Sequence, residues 1–383
     1  MSLAQDVEDY FDGKPAFQLV RILQSRDSDV VALLRYQTGN IDQHVAVKVG
    51  MYNNLEIEDH WLRRLQFADH INRVILFRGM PNGLGYPYLV TEYMTHGTLA
   101  IFIRRAKDAR ENLPNRLLWA ILGCFIRATI GLAWAPDGPD VGLEVPGPDM
   151  PSTLTHLDMH NGNFMFGELG LSMRNASGRY PTDQHPYVPM LKLIDFGEAR
   201  ELLPFDQDTP PDNLRYDERL DLAAKHPDRD NERRNRGVDR NLLDIGVAMV
   251  RMLSGEEDLY YEGDVRGWLL DDTNFPRGYD PDLIFLVQRL MAVDPKNQPR
   301  LDELHELIVN GVFDKTAEDY GDDGEEGGTE SDGELERLVQ TYILDAATYD
   351  DGGSGTDYYG DEDSGEGEVV VGGDSDDNMD IDA

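Results

Sequence analysis

The chain has 383 residues, 40% of them hydrophobic, which is apolar material enough for one large or two ordinary folded domains. Its formal charge is −38, from 73 Asp and Glu against 35 Lys and Arg, and so negative a surface argues against nucleic-acid and anionic-membrane partners. A single cysteine, Cys124, excludes an internal disulfide framework and fits a reducing cytoplasmic or nuclear setting, where it reads as a small core residue.

Residues 1–16 are acidic and carry no apolar h-region, so they read as an N-terminal extension and not as a signal peptide. FQLVRIL, VVALLRY and HVAVKV then read as three strands separated by polar turns. Over 54–68, Leu55, Trp61, Leu62 and Leu65 fall at helical spacing with charges between them. RVILF and YPYLVTEYM return to strand character. Residues 17–94 therefore predict a small lobe, an antiparallel sheet with one helix.

After Gly97 the pattern is mostly helical. LAIFIRRA is followed by an apolar run, 117–135, long enough to be considered as a membrane span. Arg127 at its middle, with Gly123 and Gly131 interrupting it, makes a buried helix of a soluble protein the better reading. Loops rich in Pro, Gly and Asp lie near 136–152 and 168–189, and the short strands NFMF and MLKLID bracket the second. A charged, proline-bearing stretch over 205–237 precedes the helices LLDIGVAMVRML and LIFLVQRLMAV, and LDELHELIV closes a large lobe over 95–313. The expected class is α+β: two lobes, the smaller built on an antiparallel sheet and the larger mostly helical, followed by a disordered acidic tail.

That tail, 314–383, holds from Asp319 onward about two dozen Asp and Glu against one basic residue, Arg337, and its low apolar content predicts disorder. One island departs from this. SDGELERLVQTYILDAA predicts a short helix over 332–347, with Ser331 and Glu334 as a capping box. The island is expected to dock on the folded domain or on a partner, or to form only transiently. The acidic tail as a whole suits a basic partner or basic surfaces of the domain itself, such as that near Arg233 and Arg234. VVVGGDSDD, near the C-terminus, resembles motifs that bind ubiquitin-like modifiers by strand addition.

The densest polar stretch is HLDMHNGNF, residues 156 to 164. With HVAVKV before it and KLIDFGEAR after it, the order of motifs from about residue 17 to residue 310 resembles that of a eukaryotic protein kinase. The resemblance implies a two-lobed kinase fold and an ATP-dependent phosphotransferase that acts, with Mg²⁺, on a Ser or Thr hydroxyl of a protein. It implies that Lys48 holds the α- and β-phosphates, and that Glu58, or alternatively Glu56, is its ion-pair partner. YLVTEYM is similar to a kinase hinge, which makes Thr91 the gatekeeper and places the backbone of Glu92 to Met94 on the adenine edge, with Val31 and Ala46 also at the nucleotide. By the same resemblance Asp158 accepts the proton of the attacking hydroxyl, and Asn163 and Asp195 bind metal.

Several positions depart from the family pattern. Gln24, Arg26 and Asp29 stand where the phosphate-covering loop usually has glycines, and side chains there hinder the approach of backbone N–H groups to phosphate. A like charge about 6 Å from the nucleotide costs roughly 3 kcal/mol at an effective dielectric near 20 before screening, so Asp27 and Asp29 are expected to weaken ATP binding about tenfold once solvent exposure is allowed for. Leu157 replaces the arginine before the catalytic aspartate. His160 stands where a lysine usually touches the γ-phosphate, and aminoglycoside-phosphotransferase-type kinases carry a similar Asp-x-His-x-x-Asn loop. His226, Pro227 and Asp228 are the nearest match to Ala-Pro-Glu, and Asn241 stands for the aspartate that opens the central helix. Two alternatives to a protein kinase therefore remain: a pseudokinase acting as a binding module, and a small-molecule kinase. The two loop insertions resemble those of divergent kinase-like proteins of filamentous fungi.

Overall fold

The computed structural model describes residues 2–26, 28–50, 54–79, 81, 83–138, 143–167, 185, 188–202, 235–255, 278–292, 298–321 and 328–346. Asp27, residues 226–228, Arg233, Arg234, the core of the loop over 168–184 and the segment VVVGGDSDD lie outside them. The fold is α+β, with one antiparallel five-stranded sheet and a largely helical remainder.

The sheet contains β1 (Phe17–Ser25), β2 (Asp29–Thr38), β3 (Ile41–Gly50), β4 (Val74–Arg78) and β5 (Tyr88–Glu92), in the spatial order β1-β2-β3-β5-β4. Alternation along the strands gives the sheet two different faces. Val30, Ala32, Leu34, Val45, Val47, Val49 and Val90 are fully buried on one face, against α1 (Leu3–Asp12), which contributes Val7 and Phe11. The N-terminal extension is thus a lid on the sheet: Ser2 caps α1 by accepting from the Gln5 amide, and Phe11 meets Tyr88 edge-on at 5.4 Å. Register places Val31 opposite Lys48, Lys48 opposite Leu89 and Ala46 opposite Thr91, so these residues share the other face. That face looks onto the site described below.

Helix α2 (Asn54–Arg64) follows β3 and buries Leu55, Glu58, Trp61 and Leu62. The sequence spacing extends this helix to 68, but it ends at Arg64 and continues as turns whose apolar residues Leu65 and Ala68 are buried. The helical part is organised on α4 (Asn115–Ala133), most of whose residues are buried. Around the same core lie α3 (Leu99–Asp108), α5 (Arg236–Ser254), α6 (Pro281–Leu290) and α7 (Leu301–Val309). Helix α4 is long and apolar enough to cross a membrane, but 89% of its most apolar window is buried inside the protein. Gly237, in the first turn of α5, lets that helix approach the chain at Thr153, whose carbonyl oxygen would lie 2.2 Å from any added Cβ. This close approach brings α5 against β6 (Leu154–Thr155), the short strand that enters HLDMHNGN.

Within the acidic segment, the island singled out over 332–347 is helical over most of its length. Residues 317–320 form a 3₁₀ turn, and α8 (Asp332–Val339) runs into a π-helical turn over Gln340–Leu344. Leu335, Leu338, Val339, Tyr342 and Ile343 are buried, and all but Leu335 join the main core. Ser331 accepts from the Glu334 amide, whereas the Glu334 carboxylate pairs with Arg337, so only half of the anticipated capping box forms.

Glu330 explains why this island docks where it does. Pro114 occupies the N-cap of α4 and offers no side-chain cap, leaving first-turn N–H groups without an intrahelical partner. The Glu330 carboxylate accepts from the backbone amides of Asn115 at 2.7 Å and Arg116 at 3.2 Å, placing a negative charge at the positive end of the helix dipole. Arg116 returns a bond of 2.8 Å to the Glu330 carbonyl, and Arg105 donates to the Tyr342 carbonyl at 3.3 Å. Leu338→Ala, at a side chain with no exposure, is expected to cost about 2–5 kcal/mol in urea unfolding with an unchanged m-value. An effect within about 0.5 kcal/mol, the size of a surface substitution, would mean that the island is not part of the core.

Candidate functional site

Where the second face of the sheet meets the helical part there is a cleft of about 630 Å³. Val31, Ala46, Lys48, Glu58, Thr91, Glu92, Met94, Asp158, Asn163 and Asp195 line it together, whereas Glu56, the alternative partner for Lys48, does not. Leu89, Met165 and Ile194 supply apolar wall, and Gln24, Arg26 and Asp29 form its rim at the β1–β2 turn.

Each polar group is held by a different element. Lys48 sits on a strand flanked by two others, which fixes its backbone. Its ammonium reaches Glu58 Oε2 at 3.1 Å and Asp195 Oδ1 at 2.7 Å, bridging α2 and the loop after β8 (Leu191–Leu193), the antiparallel partner of β7 (Phe164–Phe166). Of the two candidate glutamates, Glu58 is buried and paired, whereas Glu56 is exposed on the outer side of α2. Helical periodicity decides between them, because only Glu58 shares a face with Leu55 and Leu62. Burial pushes the Glu58 carboxyl up to about 7, the Lys48 ammonium opposing it and the Asp195 carboxylate adding to it. Asp195 is itself held below the usual carboxylate range, because Lys48 outweighs the cost of burial.

Helix α2 is tied to the chain beyond Asp195 at two further points. Trp61 Nε1 donates to the Ala199 carbonyl at 2.9 Å, and Arg64 pairs with Glu201 at 2.9 Å. The position of the Glu58 carboxylate is therefore linked to the path of the segment that carries Asp195.

The stretch HLDMHNGN forms a polar loop closed by its own side chains. His156 is fully buried; its Nε2–H donates to the Ile194 carbonyl at 2.9 Å, and its Nδ1 accepts from the Asp158 amide at 3.3 Å. Burial holds this ring below the usual histidine range, which suits the neutral tautomer these bonds require. Asn163 donates Nδ2–H to both the carbonyl and the Oδ2 of Asp158, at 2.8 Å each. Asp158 is pulled down to about 2, because His160 at 3.5 Å and the Asn163 amide overcome a burial cost that acts the other way. It is therefore an ionised carboxylate at neutral pH.

Leu157 and Asp195 both have positive φ, 66° and 61°. For residues with a Cβ this costs roughly 1–2 kcal/mol each, and such strain is held only where surrounding contacts over-determine the backbone. Asn241 of α5 supplies part of that constraint. Its Oδ1 accepts from the Thr155 hydroxyl at 3.0 Å and the His156 amide at 3.1 Å, and its Nδ2 donates to the Leu154 carbonyl at 3.0 Å. Phe196, fully buried, packs edge-on against His156 at 4.8 Å. The strained backbone thus rests on a core helix and on a buried ring.

Glu92 does more than the sequence suggested. Its carboxylate accepts from the Arg73 amide at 2.8 Å and from Lys192 at 2.8 Å, so it staples β4, β5 and β8 together. Lys192 is almost fully buried and was not singled out from the sequence; the available signal was a lysine at the centre of the apolar strand MLKLID. Chemically, the cleft brings together the Lys48 ammonium, the ionised Asp158 carboxylate and the oxygen-bearing side chains of Asn163 and Asp195. Carboxylate and amide oxygens are hard donors of the kind that hold Mg²⁺ together with substrate phosphates. No family model matches this chain, and no curated protein matches it either.

Proposed function

We propose that the chain is an ATP-dependent phosphotransferase of the protein kinase superfamily, intracellular, which transfers the ATP γ-phosphate to a Ser or Thr hydroxyl of a protein. The observation that carries this reading is the Glu58–Lys48–Asp195 bridge, facing Asp158 and Asn163 across one cleft. A cation tethered between two carboxylates suits phosphate oxygens, because Lys48 exchanges Asp195 for a phosphate without losing Glu58. Asp195, once released, and Asn163 would hold Mg²⁺, which supplies charge neutralisation to the phosphates. Asp158, ionised and fixed by Asn163 and the His156 ring, is placed to accept the hydroxyl proton of the acceptor. Ala46, Leu89, Met94 and Met165 offer apolar contact to an adenine ring, with the backbone of Glu92 to Met94 at its edge. Phosphoryl transfer asks mainly for such positioning and electrostatic support.

The kinase-like two-lobe arrangement belongs to this same reading, supported by the sheet on one side of the cleft and the helices on the other. One observation favours a second reading, a pseudokinase. Gln24, Arg26 and Asp29 project side chains at the rim of the cleft, where glycines would let backbone amides reach phosphates. Incubation with γ-labelled ATP, Mg²⁺ and a panel of dephosphorylated proteins separates the two. Label on Ser or Thr, lost in Asp158→Asn, supports the enzyme; ATP binding without label above that of the variant supports the binding module.

A further inference from the structure

A second polar cluster lies outside this cleft, built from four residues far apart in the chain. His70 is in the turn between α2 and β4, where its carbonyl accepts from the Leu193 amide two residues before Asp195. Cys124 is on α4, Glu144 follows α4, and His185 precedes β8. His70, Cys124 and Glu144 are buried and His185 is half-buried. Glu144 accepts twice from His70, from the backbone amide and from ring Nδ1, each at 2.8 Å. That leaves His70 Nε2 pointing at Nε2 of His185, 3.2 Å away. Cys124 Sγ is 3.7 Å from His185 Nδ1.

We propose that His70, Cys124 and His185 form a binding site for a divalent ion of the zinc class, with Glu144 as the carboxylate that orients His70. Four observations carry this. The donors converge: one ligand atom from each of the three lies within 4.8 Å of the others. In a tetrahedral zinc site two nitrogens are about 3.3 Å apart and a nitrogen and a sulfur about 3.6 Å apart, given the usual bond lengths; the 3.2 and 3.7 Å contacts are made by different nitrogens of His185, so its ring must turn to present a single nitrogen to the ion. The donor set is right for zinc, since thiolate with imidazole selects it over magnesium or calcium.

The third observation is the charge. A Cys124 thiolate and the Glu144 carboxylate give −2 with both rings neutral, which a dication balances. The fourth is the outer shell and the route in. Glu144 on Nδ1 fixes the His70 tautomer so that Nε2 is the free donor, a recurring arrangement behind metal-bound histidine. A shallow crevice between α4 and α7, lined by Gly123, Arg127, Ile308 and Val312, reaches His185 from the surface.

Co²⁺ titration of the full chain tests this, because Cys124 is its only cysteine and any thiolate-to-cobalt charge-transfer band reports this site alone. The expected result is a band that saturates at one equivalent, is abolished by one equivalent of Zn²⁺ and is absent in Cys124→Ala. His185→Ala, at the half-buried edge where the fold tolerates change, is expected to weaken Co²⁺ at least tenfold, and Glu144→Gln by about 10–100-fold. Cobalt taken up without a charge-transfer band, as by the acidic segment, overturns the proposal. So does a His185→Ala affinity within twofold of the parent, which would leave the cluster a thiolate–imidazolium pair that binds no metal.

Discussion

Asp158→Asn is expected to lower kcat for phosphate transfer by about 10²–10⁴-fold, the usual contribution of a positioned general base. The substitution is nearly isosteric, and the bonds that hold the loop mostly survive it. His156 still accepts from the backbone amide of residue 158, and Asn163 still donates to its carbonyl. The change removes the carboxylate charge that would take the hydroxyl proton. MgATP affinity should change by no more than about threefold, because nucleotide binding draws on other groups, and an equal loss in kcat and kcat/KM marks an interaction made in the transition state. The pH profile carries a second expectation. The carboxyl is depressed to about 2, so the base form is fully present above the ordinary aspartate value and is lost only as pH falls through about 2. The acid limb of the rate should therefore not report Asp158.

Lys48→Met is expected to act on both binding and stability. Loss of charged hydrogen bonds to phosphate, each worth about 1.5–3 kcal/mol, raises the MgATP Kd by roughly 10–100-fold. In the free protein the change leaves Glu58, 4% exposed, facing Asp195 with no cation between them. Breaking a buried pair from one side costs about 3–5 kcal/mol when the remaining charge stays ionised. Glu58 has an escape, since burial has already moved it up to about 7 with Lys48 present. A raised carboxyl favours the protonated form in the fold, so the penalty is absent at low pH and grows as pH rises through the folded value. The loss in Tm relative to the parent should accordingly be larger at pH 8 than at pH 5. Equal losses at both would mean that the lysine, and not its pairing with Glu58, sets the stability.

The parts of this site that could be read from the sequence are those fixed by short-range geometry. Asp158 and Asn163 lie five positions apart on one tight loop, and the amide–carboxylate bond between them is local. The strand alternation that put Lys48 on the same face as Ala46 and Val31 was equally legible. Helical spacing puts Glu58, and not Glu56, on the face of Leu55 and Leu62, and the burial of Glu58 agrees with it. What the sequence hid are contacts closed across long stretches of chain. Glu330 caps a helix 215 residues before it, replacing a local cap that Pro114 does not provide, and nothing in GDDGEEGGTES announces which acid will do so. The helix over 332–347 was legible from the helical spacing of Leu335, Leu338, Val339, Tyr342 and Ile343, but the surface on which these five side chains are buried was not. His70, Cys124 and His185 share no motif spacing, since the fold brings them together across 115 residues. Lys192 was passed over because a lysine in a short strand is ordinarily an edge residue, and here it meets Glu92 inside the protein.

The central claim, a MgATP site built on Lys48, Asn163 and Asp195, is tested most directly by a thermal-shift titration with ATP, with and without Mg²⁺, on the full chain and on Asp195→Ala. ATP at a hundred times its Kd should stabilise the parent by about 2.7 kcal/mol. The expected result is a shift that requires Mg²⁺ and is weakened in the variant. No shift at millimolar ATP, or a shift of equal size without Mg²⁺ and in Asp195→Ala, would contradict it.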